Sequence, residues 1–379
     1  MKNFKNKMKV VFTGGGTGGH IFPVLAIIRE LKKNSPDLKI YYLGPKDRFA
    51  KDIFSKEKVI TFFVLSGKLR RYLDPKSFFL NIFDLFVKIP LGFLQSFIYL
   101  LFLNPDLVFS KGGYGSLPVT FAAKLLFIPI FLHESDSVPG LANRVTAKLA
   151  TEVFVSFPNT TRLSKKKLIL VGNPIRTSLL SGKKEEAISY FKLSGERPVI
   201  LILGGSQGAQ RINDKIIAAL PRLLTKYEIL HQCGEKEVNQ VREEARLMVQ
   251  PNLFSFYHPF GFLNEEELKN AYAAADLVIS RAGSGAIFEI LALGKPAIFI
   301  PLPESAQEHQ VKNAYFLAQH LAALVIEEEN LTLNFFCQTI DNLFLNPEKL
   351  KTLSENAKLL AKPRAAFILA KYIVEYLKQ

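Results

Sequence analysis

Residues 12–23 read Phe-Thr-Gly-Gly-Gly-Thr-Gly-Gly-His-Ile-Phe-Pro, which sets Gly14, Gly16 and Gly19 in G-x-G-x-x-G register with His20 directly behind them. A glycine-rich turn from strand to helix lets the backbone approach phosphate oxygens and aims helix N-terminal N–H groups at them. One such turn is weak, because tight turns demand glycine anyway. Four of them, Gly14 to Gly19, Gly112 to Gly115, Gly204 to Gly208 and Gly283 to Gly285, argue for a phosphate-bearing ligand. A dinucleotide site also needs an acid about 20 residues on, at the end of the second strand. Here that strand ends Tyr-Tyr-Leu-Gly-Pro-Lys, with no carboxylate before Asp47, and no Walker lysine follows any loop. Neither a nicotinamide cofactor nor P-loop ATPase chemistry is expected, and no cofactor is called for.

His20 is then the residue to explain. A histidine at a helix N-terminus stays neutral and able to accept a proton, which suits a general base. The plainer role is to cap the helix or to hydrogen-bond a substrate. Glu134 and Asp136, in His-Glu-Ser-Asp, are the next titratable candidates. Further on, Glu289 lies among Ile287, Phe288, Ile290 and Leu291 on a helix expected from Ser284 to Leu293, with Gly294 ending it. It is either a ligand for ribose hydroxyls or a solvated edge carboxylate. His309, Gln310 and Asn313 cluster in Pro-Leu-Pro-Glu-Ser-Ala-Gln-Glu-His-Gln-Val-Lys-Asn, where amides could read sugar hydroxyls or merely begin a surface helix. No Asp-x-Asp occurs, so no metal-binding set is expected. A departing diphosphate would be met by the Gly204 to Gly208 loop, its helix dipole and Arg176.

The elements that must position these groups alternate. Strands are expected at Lys9 to Thr13, Lys39 to Leu43, Asp106 to Ser110 and Ile128 to His133, with a helix over Ile21 to Lys33. The pattern restarts at Pro198 to Leu203, then a helix from about Ala209 to Leu224, then strands at Leu277 to Ser280 and Ala297 to Ile300. Two βαβ halves in 379 residues imply two parallel-sheet domains, with a ligand in the cleft between the carboxyl ends of their sheets. The junction is expected near Val171 to Arg176. A helical tail from Glu348, interrupted at Pro363, could pack on either half.

Composition is that of a globular chain, 48% hydrophobic and 22% charged, with Cys233 and Cys337 too few and too distant for a disulfide framework or a zinc site. The first residues do not read as a signal peptide. The net charge of +15 calls for an anionic partner. No nucleic-acid motif is present, so nucleic acid is not expected and a membrane surface is. Residues 78–103 hold seven of the 32 Phe, and Lys68, Arg70, Arg71, Lys76 and Lys88 surround them. The uncharged part, Ile89 to Asn104, is short of a span and interrupted by Pro90 and Gln95. Asn81, Asp84 and Lys88 share a helical face opposite Phe79, Ile82, Phe83 and Phe86. This is either an ordinary core helix or a helix lying on anionic lipid.

Taken in order, Thr-Gly-Gly-Gly-Thr-Gly-Gly-His-Ile-Phe-Pro, Lys-Gly-Gly-Tyr-Gly-Ser-Leu-Pro, His-Glu-Ser-Asp-Ser-Val-Pro-Gly-Leu-Ala-Asn-Arg, Val-Gly-Asn-Pro-Ile-Arg, Gly-Gly-Ser-Gln-Gly-Ala-Gln-Arg-Ile-Asn and Ser-Arg-Ala-Gly-Ser-Gly-Ala-Ile-Phe-Glu resemble the motifs of the MurG family of glycosyltransferases. The likeness runs from about Lys9 to Ala314. It implies an α/β GT-B fold, two Rossmann-like parallel-sheet domains facing across a cleft. Residues 1–172 would form the acceptor and membrane-associated domain, with 363–379 packing back onto it, and 173–362 the UDP-GlcNAc domain. The implied reaction moves GlcNAc from UDP-GlcNAc to the C4 hydroxyl of MurNAc in lipid I, with inversion, at the cytoplasmic face of the membrane. The rival reading is another GT-B nucleotide-sugar enzyme, a different transferase or an epimerase.

By the same resemblance Thr17, Gly18 and Gly19 line the donor cleft, Arg176 and Ser206 hold the donor, and Leu263 packs near the uracil. Ser284, Gly285, Ala286, Ile287, Phe288 and Glu289 grip the nucleotide, and Gln310 reads the GlcNAc hydroxyls. His20 is the expected base, with Glu134 behind it. Three positions depart from the family pattern: Asp136 stands where a donor-contacting Asn is usual, Leu117 where a glycine is, and Glu304 where many members carry His.

Overall fold

The computed structural model describes residues 8–67, 75–164, 168–204 and 210–379. The chain forms two compact units, 1–175 with 364–379, and 176–363.

In the first unit, seven strands make one sheet: β1 (Lys9–Thr13), β2 (Lys39–Gly44), β3 (Ile60–Phe63), β4 (Leu107–Ser110), β5 (Ile130–Glu134), β6 (Glu152–Val155) and β7 (Leu168–Leu170). Every pairing is parallel and the order is β3-β2-β1-β4-β5-β6-β7. Val10, Val11 and Phe12 of β1 are fully buried, as a strand covered on both faces requires. The strand order reverses between β1 and β4, and at such a switch point the loops after neighbouring strands diverge and leave a crevice. Those loops are Gly14 to Gly19 and Lys111 to Gly113. The first must be glycine. At Gly15 (φ +128°) a Cβ would sit 2.7 Å from the Tyr42 hydroxyl, and at Gly16 (φ +95°) 2.9 Å from the Tyr114 ring. Tyr42 pins the loop by donating its O–H to the Gly14 carbonyl at 2.6 Å.

The helix Ala365–Leu377 also belongs to this unit and packs on the helix Gly18–Asn34. Leu369, Ala370 and Ile373 enter the core with Val10, Phe12 and Phe131. The Tyr372 and Tyr376 rings lie edge-on to Phe131, 5.6 and 4.8 Å between centroids.

The Phe-rich segment is one continuous helix. Pro75–Phe83, a π-helical turn Asp84–Lys88 and Ile89–Leu103 run together, so the helix is longer than the uncharged part, Ile89 to Asn104, that fell short of a span. The wide turn ends just before Pro90, where the missing proline N–H would otherwise break the bonding ladder. By length and composition alone Ser77–Leu103 could cross a membrane, the one such helix among the described residues. It is docked on its own unit instead: the Leu65 N–H donates to Gln95 Oε1 at 2.8 Å, and Leu100 is fully buried. The helix is inside out. Asp84 is 1% exposed and takes the Lys88 ammonium at 2.6 Å, whereas Phe79 and Phe86 are 69% and 70% exposed. That removes the ordinary core-helix reading.

The second unit repeats the architecture with β8 (Val199–Leu203), β9 (Glu228–Gln232), β10 (Tyr257–Phe260), β11 (Leu277–Ser280), β12 (Ala297–Phe299) and β13 (Leu324–Val325), all parallel, in the order β10-β9-β8-β11-β12-β13. Its core packs Ile200, Ile202 and Ile229 of the sheet against Ile216 and Leu220 of the helix Gln210–Leu223, with Phe336 and Ile340 beside them.

Candidate active site

In the first unit the groups gather at the carboxyl ends of β1, β4 and β5. Thr17 begins the helix Gly18–Asn34 in extended conformation, but its hydroxyl makes no capping bond. It lies instead 3.1 Å from His20 Nδ1. Thr17 and Gly19 are exposed, Gly18 is buried and His20 half-buried. Gly113 (φ +81°) comes so close that a Cβ there would stand 3.0 Å from His20 Nε2. Its N–H donates to Asn143 Oδ1 at 3.2 Å, and Asn143 Nδ2 donates to Glu134 Oε2 at 2.7 Å. The other oxygen, Glu134 Oε1, accepts the Asp136 N–H at 2.9 Å. Glu134 is 3% exposed with both oxygens engaged. It reaches the His20 loop through Asn143 rather than directly.

Burial, and then the Asp136 charge, push the Glu134 carboxyl up to about 7. Beside it Lys111 is 1% exposed; burial brings its ammonium down to about 8 against the opposing pull of Glu134 and Asp136. Lys111 Nζ donates to Ser135 Oγ, and Ser135 Oγ donates to Asn173 Oδ1 at 3.3 Å. His133 is fully buried with Nε2 2.9 Å from the Gly172 carbonyl, and burial and Lys111 hold it well below the usual imidazole range. The site is a small buried charge cluster under two glycine loops.

In the second unit, Arg176 and Glu289 meet. Arg176 Nη2 stands 2.8 Å from Glu289 Oε1, and the Tyr272 hydroxyl donates to Glu289 Oε2 at 3.2 Å. Arg176 is 4% and Glu289 8% exposed, so Glu289 is no solvated edge residue. Burial, and then the Glu289 charge, drive the Tyr272 phenol well up. Glu289 lies on the helix Ser284–Leu293, whose N-cap Gly283 is extended and makes no side-chain cap. A Cβ on Gly283 or Gly285 would meet nothing within 4 Å, and neither has positive φ. Neither packing nor backbone conformation requires glycine at these two positions. Ser284, Ile287 and Phe288 are buried in the same turns, with Gly285 and Ala286 half-buried at the helix start.

Gln310 Oε1 accepts the Leu302 N–H at 3.1 Å, which leaves its NH2 without a partner among the described residues. Leu263 is 1% exposed, and its N–H donates to Gln232 Oε1 at 3.1 Å. Glu304 binds Arg211 in a fork, 2.9 and 2.7 Å, while Arg211 Nε reaches Glu328 at 2.7 Å. That ties the segment before Gln310 to the first turn of the helix Gln210–Leu223. Ser206 lies outside the described residues. The expectations missed Lys111, Asn143, Tyr272 and Gln232. Lys111 left a signal, a charge at the end of a buried strand.

Residues 10–155 match the glycosyltransferase family 28 N-terminal domain and residues 199–367 its C-terminal domain. A UDP-N-acetylglucosamine--N-acetylmuramyl-(pentapeptide) pyrophosphoryl-undecaprenol N-acetylglucosamine transferase of Bacillus thuringiensis is 40% identical, over 91% of this chain and 94% of its own. The transferase of that name from Treponema denticola is 35% identical over 97% of each. The crystal structure of Acinetobacter baumannii MurG superposes with a TM-score of 0.73 at 26% identity, covering 97% of this chain and 99% of that one. A Neisseria meningitidis UDP-GlcNAc 2-epimerase shares the fold, with a TM-score of 0.67 at 15% identity, covering 97% and 100%. With two parallel-sheet units in GT-B form and both domain matches in order, the chain belongs to glycosyltransferase family 28, among the MurG transferases.

Proposed function

We propose that this protein transfers GlcNAc from UDP-GlcNAc to the C4 hydroxyl of MurNAc in lipid I, with inversion, giving lipid II and UDP in peptidoglycan synthesis. It is a UDP-GlcNAc-dependent N-acetylglucosaminyltransferase. The observation that carries the reading is the 40% identity to named transferases over nine-tenths of the chain. The epimerases share only the fold.

In this reading the donor lies in the second unit. Glu289, fixed by Arg176 and Tyr272, accepts from the ribose hydroxyls, and the Gln310 NH2 donates to the sugar. The open N-terminus of the helix Ser284–Leu293 faces the diphosphate. The acceptor lies against the first unit near His20, and Thr17, Gly18 and Gly19 keep the donor-cleft role that the resemblance implies. His20 Nε2 takes the C4 proton as the oxygen attacks the anomeric carbon, and UDP leaves with the bonding pair. Glu134 and Asn143 fix the Gly113 backbone against the His20 ring.

The acceptor's lipid suits a protein lying on the cytoplasmic face of the membrane. The first unit carries 29 of the 49 Lys and Arg and 12 of the 34 Asp and Glu, a net +17 against −2 for the second. The outward Phe row sits on that basic unit, and a shallow groove of about 370 Å³ lined by Phe93, Phe121, Lys124, Leu125 and Phe127 adds to it. Lys68, Arg70, Arg71 and the Lys76 side chain lie outside the described residues. An apolar face with a basic surround on anionic lipid is the arrangement expected of an interfacial helix.

The test is radiolabelled UDP-GlcNAc with a lipid I analogue. A labelled disaccharide-lipid and free UDP are expected. Label retained in an epimerised nucleotide sugar would overturn the reading.

A further inference from the structure

The segment 301–310 holds backbone that its residues do not favour. Gln307 and Glu308, consecutive and neither of them glycine, sit at φ +59° and +56°, a left-handed stretch that persists where surrounding contacts hold it. The segment closes on itself. Leu302 N–H donates to Gln310 Oε1 at 3.1 Å, Glu308 N–H to the Ser305 carbonyl at 2.8 Å and Gln310 N–H to Ser305 Oγ at 3.2 Å. It is also gripped from outside at two points. Arg281, which follows β11, donates from Nη1 to the carbonyls of Ile300 and Pro301, 3.3 Å each. Arg211 forks onto both oxygens of Glu304 at 2.9 and 2.7 Å. An exposed pair contributes little by itself, because its long side chains must be held still and salt screens them. Here the two arginines share Glu328, whose side chain is 10% exposed. Its Oε1 lies 2.7 Å from Arg211 Nε and its Oε2 2.5 Å from Arg281 Nη1, so Arg211 is fixed before it meets Glu304.

We propose that Arg211, Glu304 and Glu328 form a clamp that holds the segment 302–310 in place for the donor's sugar, setting affinity for the hexose of UDP-GlcNAc rather than for its nucleotide. All three are positioning residues. They act through the segment on Gln310, whose NH2 has no partner among the described residues. Glu304, one of the three departures from the family pattern, thereby has a counter-charge of its own in Arg211. Gln310 meets the GlcNAc hydroxyls only in the transferase reading above, on which the binding arm of the test rests; the hydrogen-exchange arm does not. In that reading the nucleotide is gripped elsewhere, by Glu289 with Arg176 and Tyr272 behind it.

The experiment compares wild type, Glu304→Gln, Arg211→Met and the double variant. It uses calorimetry with UDP-GlcNAc and with UDP, transferase kinetics, and hydrogen exchange over residues 302–310. Glu304→Gln should weaken UDP-GlcNAc binding about fivefold and leave UDP binding within about twofold. KM for UDP-GlcNAc should rise by about the same factor, with kcat within about twofold. The double variant should bind UDP-GlcNAc no worse than Arg211→Met, since either change already removes the fork. Amides of 302–310 should exchange about fivefold faster in Glu304→Gln, with the rest of the unit unchanged. Glu328→Gln, which loosens Arg211, should move the same quantities in the same direction. UDP and UDP-GlcNAc weakened alike in Glu304→Gln would mean a general loss of structure and overturn the clamp. Multiplying losses in the double variant, or unchanged exchange, would overturn it too. Glu304 and Arg211 are both more than half exposed, so their variants decide even if Glu328→Gln does not fold. Should wild type bind no UDP-GlcNAc, the transferase reading fails and exchange alone decides: faster exchange of 302–310 upholds the clamp, and equal exchange sinks it.

Discussion

His20 can take a proton at Nε2 only if Nδ1 already holds one and donates it to Thr17 Oγ1, 3.1 Å away. The Thr17 hydroxyl makes no helix cap and is free for that task. His20→Ala is therefore expected to lower kcat by about 10²- to 10⁴-fold, the usual range for losing a general base. UDP-GlcNAc affinity, measured by calorimetry, should stay within about twofold. A loss confined to affinity would count against the base role. Glu134 gives a second expectation. Its carboxyl is raised to about 7 in the folded protein, above its unfolded value, so the native state holds the proton more tightly. Stability then falls as pH rises from the ordinary carboxyl range to about 7. Glu134→Gln should flatten that part of a melting-temperature profile; an unchanged slope would show that Glu134 does not titrate there. Lys111 runs the other way: its ammonium is lowered to about 8, so its burial costs least at high pH. At this scale the sequence showed His20, Glu134 and Glu289, because glycine loops and a carboxylate among apolar residues are local patterns. It did not show Lys111 or Asn143, whose roles exist only once β4, β5 and the helix Leu141–Leu149 are side by side.

Among the elements, the strands with continuous apolar runs were legible: β1 and β11 fall where expected, and β2, β4, β5, β8 and β12 within a residue or two. The ones not anticipated are β3, β6, β7, β9, β10 and β13. β9 reads Glu-Ile-Leu-His-Gln, with polar residues that are all buried because Glu228 takes His258 and Ser194, His231 meets Tyr257, and Gln232 holds Leu263. Periodicity cannot reveal polar groups satisfied by distant partners. The two faces of the Phe-rich helix were legible, but which of them turns outward needed the packing to be seen. Its docking hinges on Gly92, where a Cβ would fall 1.8 Å from the Leu65 carbonyl oxygen. Gly92→Val should push the helix off its bed and cost about 1–3 kcal/mol, read by chemical denaturation; no loss would mean the helix does not sit there. Phe86→Glu, at a 70% exposed position, should leave the melting temperature alone and weaken sedimentation with anionic vesicles severalfold. Binding equal to wild type would remove this face from the lipid contact.

For the molecule as a whole, the division of charge is as informative as the fold. One unit is strongly basic and the other nearly neutral, so attraction to an anionic surface acts on the first and fades as salt shortens the Debye length. The first unit also depends on a segment made long after the rest of it. Its core includes Leu369, Ala370 and Ile373, and Phe131 and Phe154 stack on Tyr372. Residues 176–363, a complete second unit, are synthesised in between. The core of the basic half therefore stays incomplete until the helix Ala365–Leu377, the last element of the chain, joins it. A chain truncated after Pro363 should show a protease-resistant second unit and a sensitive first one. The full chain should protect both. Any handling of the unfinished chain by chaperones would concentrate on the half that meets the membrane.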